Sequence, residues 1–153
     1  MKASGGVGPS PEDLTNVDQH LFALAKAVRA RAHAPYSRFQ VGAAIRTEDG
    51  SLFTGANVEN ASFPEGWCAE TSAIGAMIAA GESPAARRIA AVMVVADRVD
   101  GGIVCTPCGG CRQRLKEFST AATRIACYDP SGNGQSFSIA ELLPAGFSLE
   151  DVG

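Results

Sequence analysis

The sequence predicts an α/β protein in three layers, with helices on both faces of a mixed central sheet of about five strands. Three observations lead there. Ile89 to Ala96 (IAAVMVVA) is an unbroken apolar run, as expected of a central strand covered on both sides. Segments of strand character alternate with segments of helical character along the chain. An Asp49-Gly50 step separates two β-compatible runs, a hairpin signal that makes the sheet mixed rather than wholly parallel.

Residues 1–11 (MKASGGVGPSP) are small and rich in Gly and Pro, and read as a flexible arm. The remaining residues, 12–153, suit one domain. From about Pro11 to Arg31, the residues Val17, Leu21, Leu24 and Val28 recur at helical spacing, with Asp13, Thr15 and Asn16 as candidate N-caps and His20 and His33 as solvated positions. Pro35 stops that helix. Phe39 to Arg46 and Ser51 to Ala56 form the hairpin. A helix is expected from near Cys68 through Ala80, closed by Gly81. Pro107-Cys108 opens another, which ends near Phe118. Arg124 to Tyr128 reads as a strand, Asp129 to Gly132 as a turn and Gln135 to Ser138 as an edge strand. A brief helix over Ile139 to Leu143 precedes the tail.

Composition limits the function. Hydrophobic residues at 46% and charged residues at 19% allow a buried core. A net charge of −3 argues against nucleic acid or an anionic membrane as partner, since both need a basic footprint. No apolar run reaches membrane-spanning length, and the N-terminus lacks the apolar core of a signal peptide, so a cytoplasmic location is expected. The five cysteines are Cys68, Cys105, Cys108, Cys111 and Cys127. Three of them fall within seven positions, a crowding that points to metal ligation or redox chemistry before a disulfide scaffold. With only two histidines in the chain, a zinc site has to lean on sulfur.

Cys68-Ala69-Glu70 and Pro107-Cys108-Gly109-Gly110-Cys111 carry the chemistry. A Cys-x-x-Cys step at a helix start brings two thiolates to one ion, and a third cysteine at the start of another helix completes a three-sulfur zinc site with one corner free for water. Helix N-termini favour thiolate over thiol. Glu70, two residues past Cys68, suits a proton shuttle facing that corner. A ligand-x-Glu segment followed by Pro-Cys-x-x-Cys is the grammar of zinc deaminases. The competing reading is a closed structural site, non-catalytic, with Cys105 as fourth ligand; it leaves Glu70 unexplained. Otherwise Cys105 and Cys127 are small core residues.

The chain resembles the small homotetrameric cytidine deaminases that act on free nucleosides. The likeness runs from about Leu14 to Phe147, through Ala34-Pro35-Tyr36-Ser37-Arg38-Phe39, Val41-Gly42-Ala43-Ala44, Gly55 to Ser62, Cys68-Ala69-Glu70, Pro107 to Gln113 and Glu141-Leu142-Leu143-Pro144. That resemblance implies hydrolysis of cytidine or deoxycytidine to uridine or deoxyuridine through a zinc-bound hydroxide, in pyrimidine salvage. It implies Cys68, Cys108 and Cys111 as ligands of Zn2+, and Glu70 as the proton-transferring group. By the same likeness Asn57 and Glu59 bind the ribose 3′-hydroxyl, Phe39 lies beside the pyrimidine, and Ala69 reads the base edge. Ala61, Phe63 and Phe147 then reach the nucleoside from neighbouring subunits of a homotetramer with shared active sites. A cytosine-bearing antibiotic of blasticidin type, or a modified cytidine, is the alternative substrate.

The chain also departs from the pattern. The family commonly has Cys-Ala-Glu-Arg, whose arginine donates to the zinc thiolates, where this chain has Thr71. Three thiolates on Zn2+ leave a charge of −1. Arg114 shares a helical face with Cys111, so it is expected either to offset that charge or to serve as a surface or subunit-interface arginine. Trp67 is bulkier than the pattern, and Phe63 replaces a common tyrosine.

Overall fold

The computed structural model describes residues 16–149. The 1–11 arm and the candidate caps Asp13 and Thr15 lie outside them. The described elements are α1 (Asn16–Arg29), β1 (Val41–Thr47), β2 (Leu52–Ala56), α2 (Ala69–Ala80), β3 (Ile89–Ala96), α3 (Gly109–Phe118), β4 (Ser119–Tyr128), β5 (Gly134–Phe137) and α4 (Ile139–Leu142). No helix among the described residues is long and apolar enough to cross a membrane.

One five-stranded sheet runs in the order β2-β1-β3-β4-β5. β1 is antiparallel to both β2 and β3, β3 is parallel to β4, and β4 is antiparallel to β5. The hairpin has a three-residue loop. Thr47 N–H donates to Ser51 O at 2.9 Å, and Gly50 takes the left-handed φ of 87° that such a loop needs at its last position.

Period-two alternation divides the core into two layers. Ala91, Met93 and Val95 of β3, with Ala44, Ala126 and Tyr128, pack against Leu21 and Ala25 of α1. Val92 and Val94, with Ala43, Ile45, Ile125 and Cys127, face Ala73 and Met77 of α2, Leu115 of α3 and Leu142 of α4. This is the expected α/β/α sandwich, and the burial of all but one residue of β3 follows from cover on both faces.

Three local expectations change. β4 begins at Ser119 rather than Arg124, because Ile89 pairs with Ser119 while Ala91 pairs with Arg124. Residues 120–123 therefore bulge opposite Ala90, held where buried Thr123 donates its hydroxyl to Ile89 O at 2.7 Å. Gly81 does follow α2, but in extended backbone (φ −77°, ψ 123°) rather than a left-handed cap. What it supplies is space, since a Cβ there would stand 2.9 Å from Ala86 O. His33 lies beyond α1 and bridges to Val58 through backbone groups, so it is not a helix residue.

The turn after β4 is organised by Asp129. Its carboxylate accepts from Ser131 N, Ser131 Oγ, Asn133 N and Arg98 Nε at 2.6–3.1 Å. Burial pushes this carboxyl up, but the hydrogen bonds from Ser131, Arg98 and Asn133 outweigh it and hold the pKa at about 2. A depressed carboxylate stabilises the fold above its unfolded value of about 3.9, and the effect is lost as pH falls toward 2. Asp129→Ala should therefore destabilise by about 1–3 kcal/mol at pH 7. Urea midpoints measured across pH should show the deficit shrinking below about pH 4.

Candidate active site

Strand direction brings the two sulfur-bearing segments together. β1, antiparallel to both neighbours, leaves β2 and β3 pointing the same way. The helices that follow them, α2 and α3, start at the same end of the sheet and pack on the same face. Cys68 is the N-cap of α2 and Cys108 the N-cap of α3, with Cys111 one turn in. Neither helix has a side chain capping its first turn, so both present their partial positive charge to the site.

Close packing against β2 sets the height of α2. A Cβ on Gly55 would lie 2.5 Å from Ala69 O and 2.4 Å from Ala73 N. Ser72 then pins the helix by donating to Ala56 O at 3.0 Å and accepting from the Trp67 indole N–H at 2.7 Å. On the other helix, Arg112 gathers the approach to Cys108. It donates to Pro107 O, Leu142 O and Thr106 Oγ1 at 2.7, 2.7 and 2.9 Å. Neither tether follows from spacing alone, although Arg112 falls within the Pro107–Gln113 block. In the sequence each lies within five residues of a cysteine of the candidate metal cluster.

The Sγ atoms of Cys68, Cys108 and Cys111 all lie within 4.8 Å of one another, and Cys68 and Cys108 are 3.7 Å apart. Ligands at about 2.3 Å on a tetrahedral zinc stand about 3.8 Å from each other, so the cluster fits that ion. A hydrogen bond from Cys111 lowers the Cys68 thiol below its ordinary value. The same bond first, and burial second, push Cys111 up, and such a thiol ionises when a cation replaces its proton. Cys105 is outside the cluster, so the four-sulfur scaffold lacks its fourth ligand. Cys127 is buried in the core, as expected.

Glu70, in the first turn of α2, is only 4% exposed. Burial raises its carboxyl above the ordinary value, against its own backbone N–H, Cys111 and the charge of Arg114. A carboxyl that holds its proton more tightly than usual, beside a metal cluster, can both accept and return one. Arg114 itself folds back over the α3 start, its Nη1 2.9 Å from where a Gly110 Cβ would stand. Among the described residues no hydrogen bond joins it to a ligand sulfur. Thr71 makes that contact instead, with Oγ1 3.7 Å from Cys111 Sγ.

A cavity of about 390 Å³ is lined by Tyr36, Ser37, Glu59, Asn60, Phe63 and Gly66. Of the expected substrate residues it includes Glu59 and Phe63. Phe39, Asn57, Ala61, Ala69, Phe147 and the cysteines do not line it. Glu59 clamps the 36–37 turn: its carboxylate accepts from Tyr36 N and Ser37 N at 3.0 and 3.1 Å and from the Ser37 hydroxyl. Those bonds, the Ser37 hydroxyl first, lower its pKa. Asn57 spans Val41 N and Phe39 O, both at 2.8 Å, and holds half-buried Phe39 in place. Ala69 is enclosed in the core at the first position of α2, so only its backbone can reach a ligand. Ala61 is exposed, and Phe63 and Phe147 are 73% and 69% exposed. Phe63 meets Tyr36 edge-on, and Phe147 accepts from Gln113 Nε2 at 3.0 Å through its carbonyl.

Three cysteine sulfurs at two helix starts, spaced to hold a metal ion and with a buried acid beside them, are the equipment of a metal-assisted hydrolase. The family model for the cytidine and deoxycytidylate deaminase zinc-binding region matches residues 15–127. A cytidine deaminase of Halalkalibacterium halodurans is 40% identical over 131 residues, 84% of this chain and 94% of the relative. One from Mycobacterium tuberculosis is 38% identical over 124 residues, 80% and 84% of the respective chains. The crystal structure of the Burkholderia pseudomallei cytidine deaminase superposes with a TM-score of 0.76 at 40% identity, covering 88% of this chain and all of that one. The chain belongs to the cytidine and deoxycytidylate deaminase family of zinc-dependent hydrolases.

The Gly55 contact is testable. Gly55→Ala should destabilise by about 1–3 kcal/mol, because the new Cβ meets helix backbone that cannot rotate away. It should also lower zinc retained after dialysis, since α2 carries Cys68. Chemical denaturation and metal analysis of one preparation check both.

Proposed function

We propose that this chain hydrolyses cytidine and deoxycytidine to the corresponding uridines and ammonia, with residues 12–153 as one deaminase domain. The observation that carries the reading is the 3.7 Å sulfur spacing of a zinc site with the buried carboxyl of Glu70 in the first turn of the same helix as Cys68. Cys68, Cys108 and Cys111 hold the ion, which when bound lowers the pKa of a water toward about 7. Glu70 takes the water's proton and delivers it to N3 of the pyrimidine, leaving C4 electrophilic. The water oxygen would then bond to C4, and Glu70 would pass the remaining hydroxyl proton to the amine as the C4–N bond breaks, so that ammonia leaves and the N3 proton stays in the uridine. Backbone groups at Cys68 and Ala69 hold the base edge, and Phe39 lies against the ring. Asn57 and Glu59 bind the ribose 3′-hydroxyl with the hydrogen-bonding capacity their turn contacts leave unused.

Ala61, Phe63 and Phe147 are read as reaching nucleosides in neighbouring subunits. Two large aromatics standing out in solvent, Phe63 in the wall of the cavity and Phe147 beside Gln113 of α3, support that. The working form is then a homotetramer with shared sites, active in pyrimidine salvage in the cytoplasm.

Zinc-loaded protein should convert cytidine to uridine, followed by the fall in ultraviolet absorbance and release of ammonia. Glu70→Gln should keep its zinc while kcat falls by about 10²–10⁴; near-normal turnover in that variant would remove Glu70 from the mechanism. Sedimentation equilibrium should return the tetramer mass, and a monomer with full activity would exclude shared sites.

A further inference from the structure

The three ligand sulfurs differ sharply in their surroundings. Cys108 is exposed and Cys68 half-exposed, so solvent can solvate a thiolate at either. Cys111 is 0% exposed. Once a metal is bound the cluster carries −1, and the share of that charge on Cys111 cannot be relieved by water. A protein donor has to serve it.

Thr71 is placed to do so. It is the third residue of α2 and Cys111 the third of α3, and their Oγ1 and Sγ atoms are 3.7 Å apart where the two helices meet. A metal-bound cysteine has no proton to give, so the hydroxyl must be the donor. Arg114, the other candidate, is turned over Gly110 and hydrogen-bonds none of the three sulfurs among the described residues.

We propose that the Thr71 hydroxyl is a positioning group of the metal centre, donating to the Cys111 thiolate and withdrawing charge from the one ligand that solvent cannot reach. The proposal rests on the reading of Cys68, Cys108 and Cys111 as the zinc ligands. Outer partners of metal ligands set both ligand orientation and the electron density the metal receives.

The test compares Thr71→Val, which keeps the branched shape without the hydroxyl, with Thr71→Ser, which keeps the hydroxyl. Thr71→Ala serves as a second hydroxyl-free variant. Cobalt(II) replaces zinc as the probe, and the sulfur-to-cobalt charge-transfer band is recorded for each. The band should move to lower energy in the Val and Ala variants, where the thiolate becomes the stronger donor, and stay in place in the Ser variant. With zinc restored, the hydroxyl-free variants should lose about tenfold in kcat, with KM for cytidine unchanged and Thr71→Ser close to the parent. An unmoved band in Thr71→Val and Thr71→Ala, or an equal shift in Thr71→Ser, overturns the hydrogen bond while leaving the ligand assignment standing. Absence of any sulfur-to-cobalt band in the parent protein overturns the ligand assignment and this proposal with it.

Discussion

The site depends on the meeting of two helix N-termini at one end of the sheet. Cys68 and Cys108 are forty residues apart in the chain, and only the strand directions make them neighbours. Because β1 is inserted antiparallel between β2 and β3, the strands that launch α2 and α3 point the same way. Both helices then lie on one face and begin at one edge. Small residues permit the close fit, above all Gly55, where helix backbone takes the space of a side chain. A looser contact would separate the sulfurs beyond the span of one ion.

Charge is handled unevenly across the centre. The two helix starts supply partial positive charge that no side-chain cap consumes. Burial then works in opposite senses on its neighbours. It makes Glu70 hold its proton more tightly, which suits the proton-transfer role proposed for it. It also shuts Cys111 away from water, which leaves that sulfur dependent on whatever donor the protein provides. Burial thus acts on both the acid and the sulfur, and the Thr71 hydroxyl is the group of α2 that meets Cys111 of α3.

The proposed substrate residues are held unevenly. Glu59 and Asn57 fasten the turn that carries Tyr36, Ser37 and Phe39 to the exit of β2. That fixes the turn, while Phe63 and Phe147 stand outward, largely exposed. A wall built from one subunit and a cover drawn from others matches the proposed assembly.

Sequence alone determined whatever depends on short spacings. Cys-x-Glu and Pro-Cys-x-x-Cys place the candidate ligands and acid within a helical turn, the Asp49-Gly50 step dictates the hairpin loop, and the apolar run of β3 declares its two-sided burial. The bulge at residues 120–123 was hidden because it hangs on one long-range bond from Thr123 to Ile89. The i+3 spacing put Arg114 on the face of Cys111 but not its guanidinium, whose rotamer carries it over Gly110 while a threonine on another helix touches the sulfur. Only the tertiary structure could decide that. Which side chain meets a buried thiolate is settled by how two helices lie across each other, and no spacing along one strand of chain encodes that.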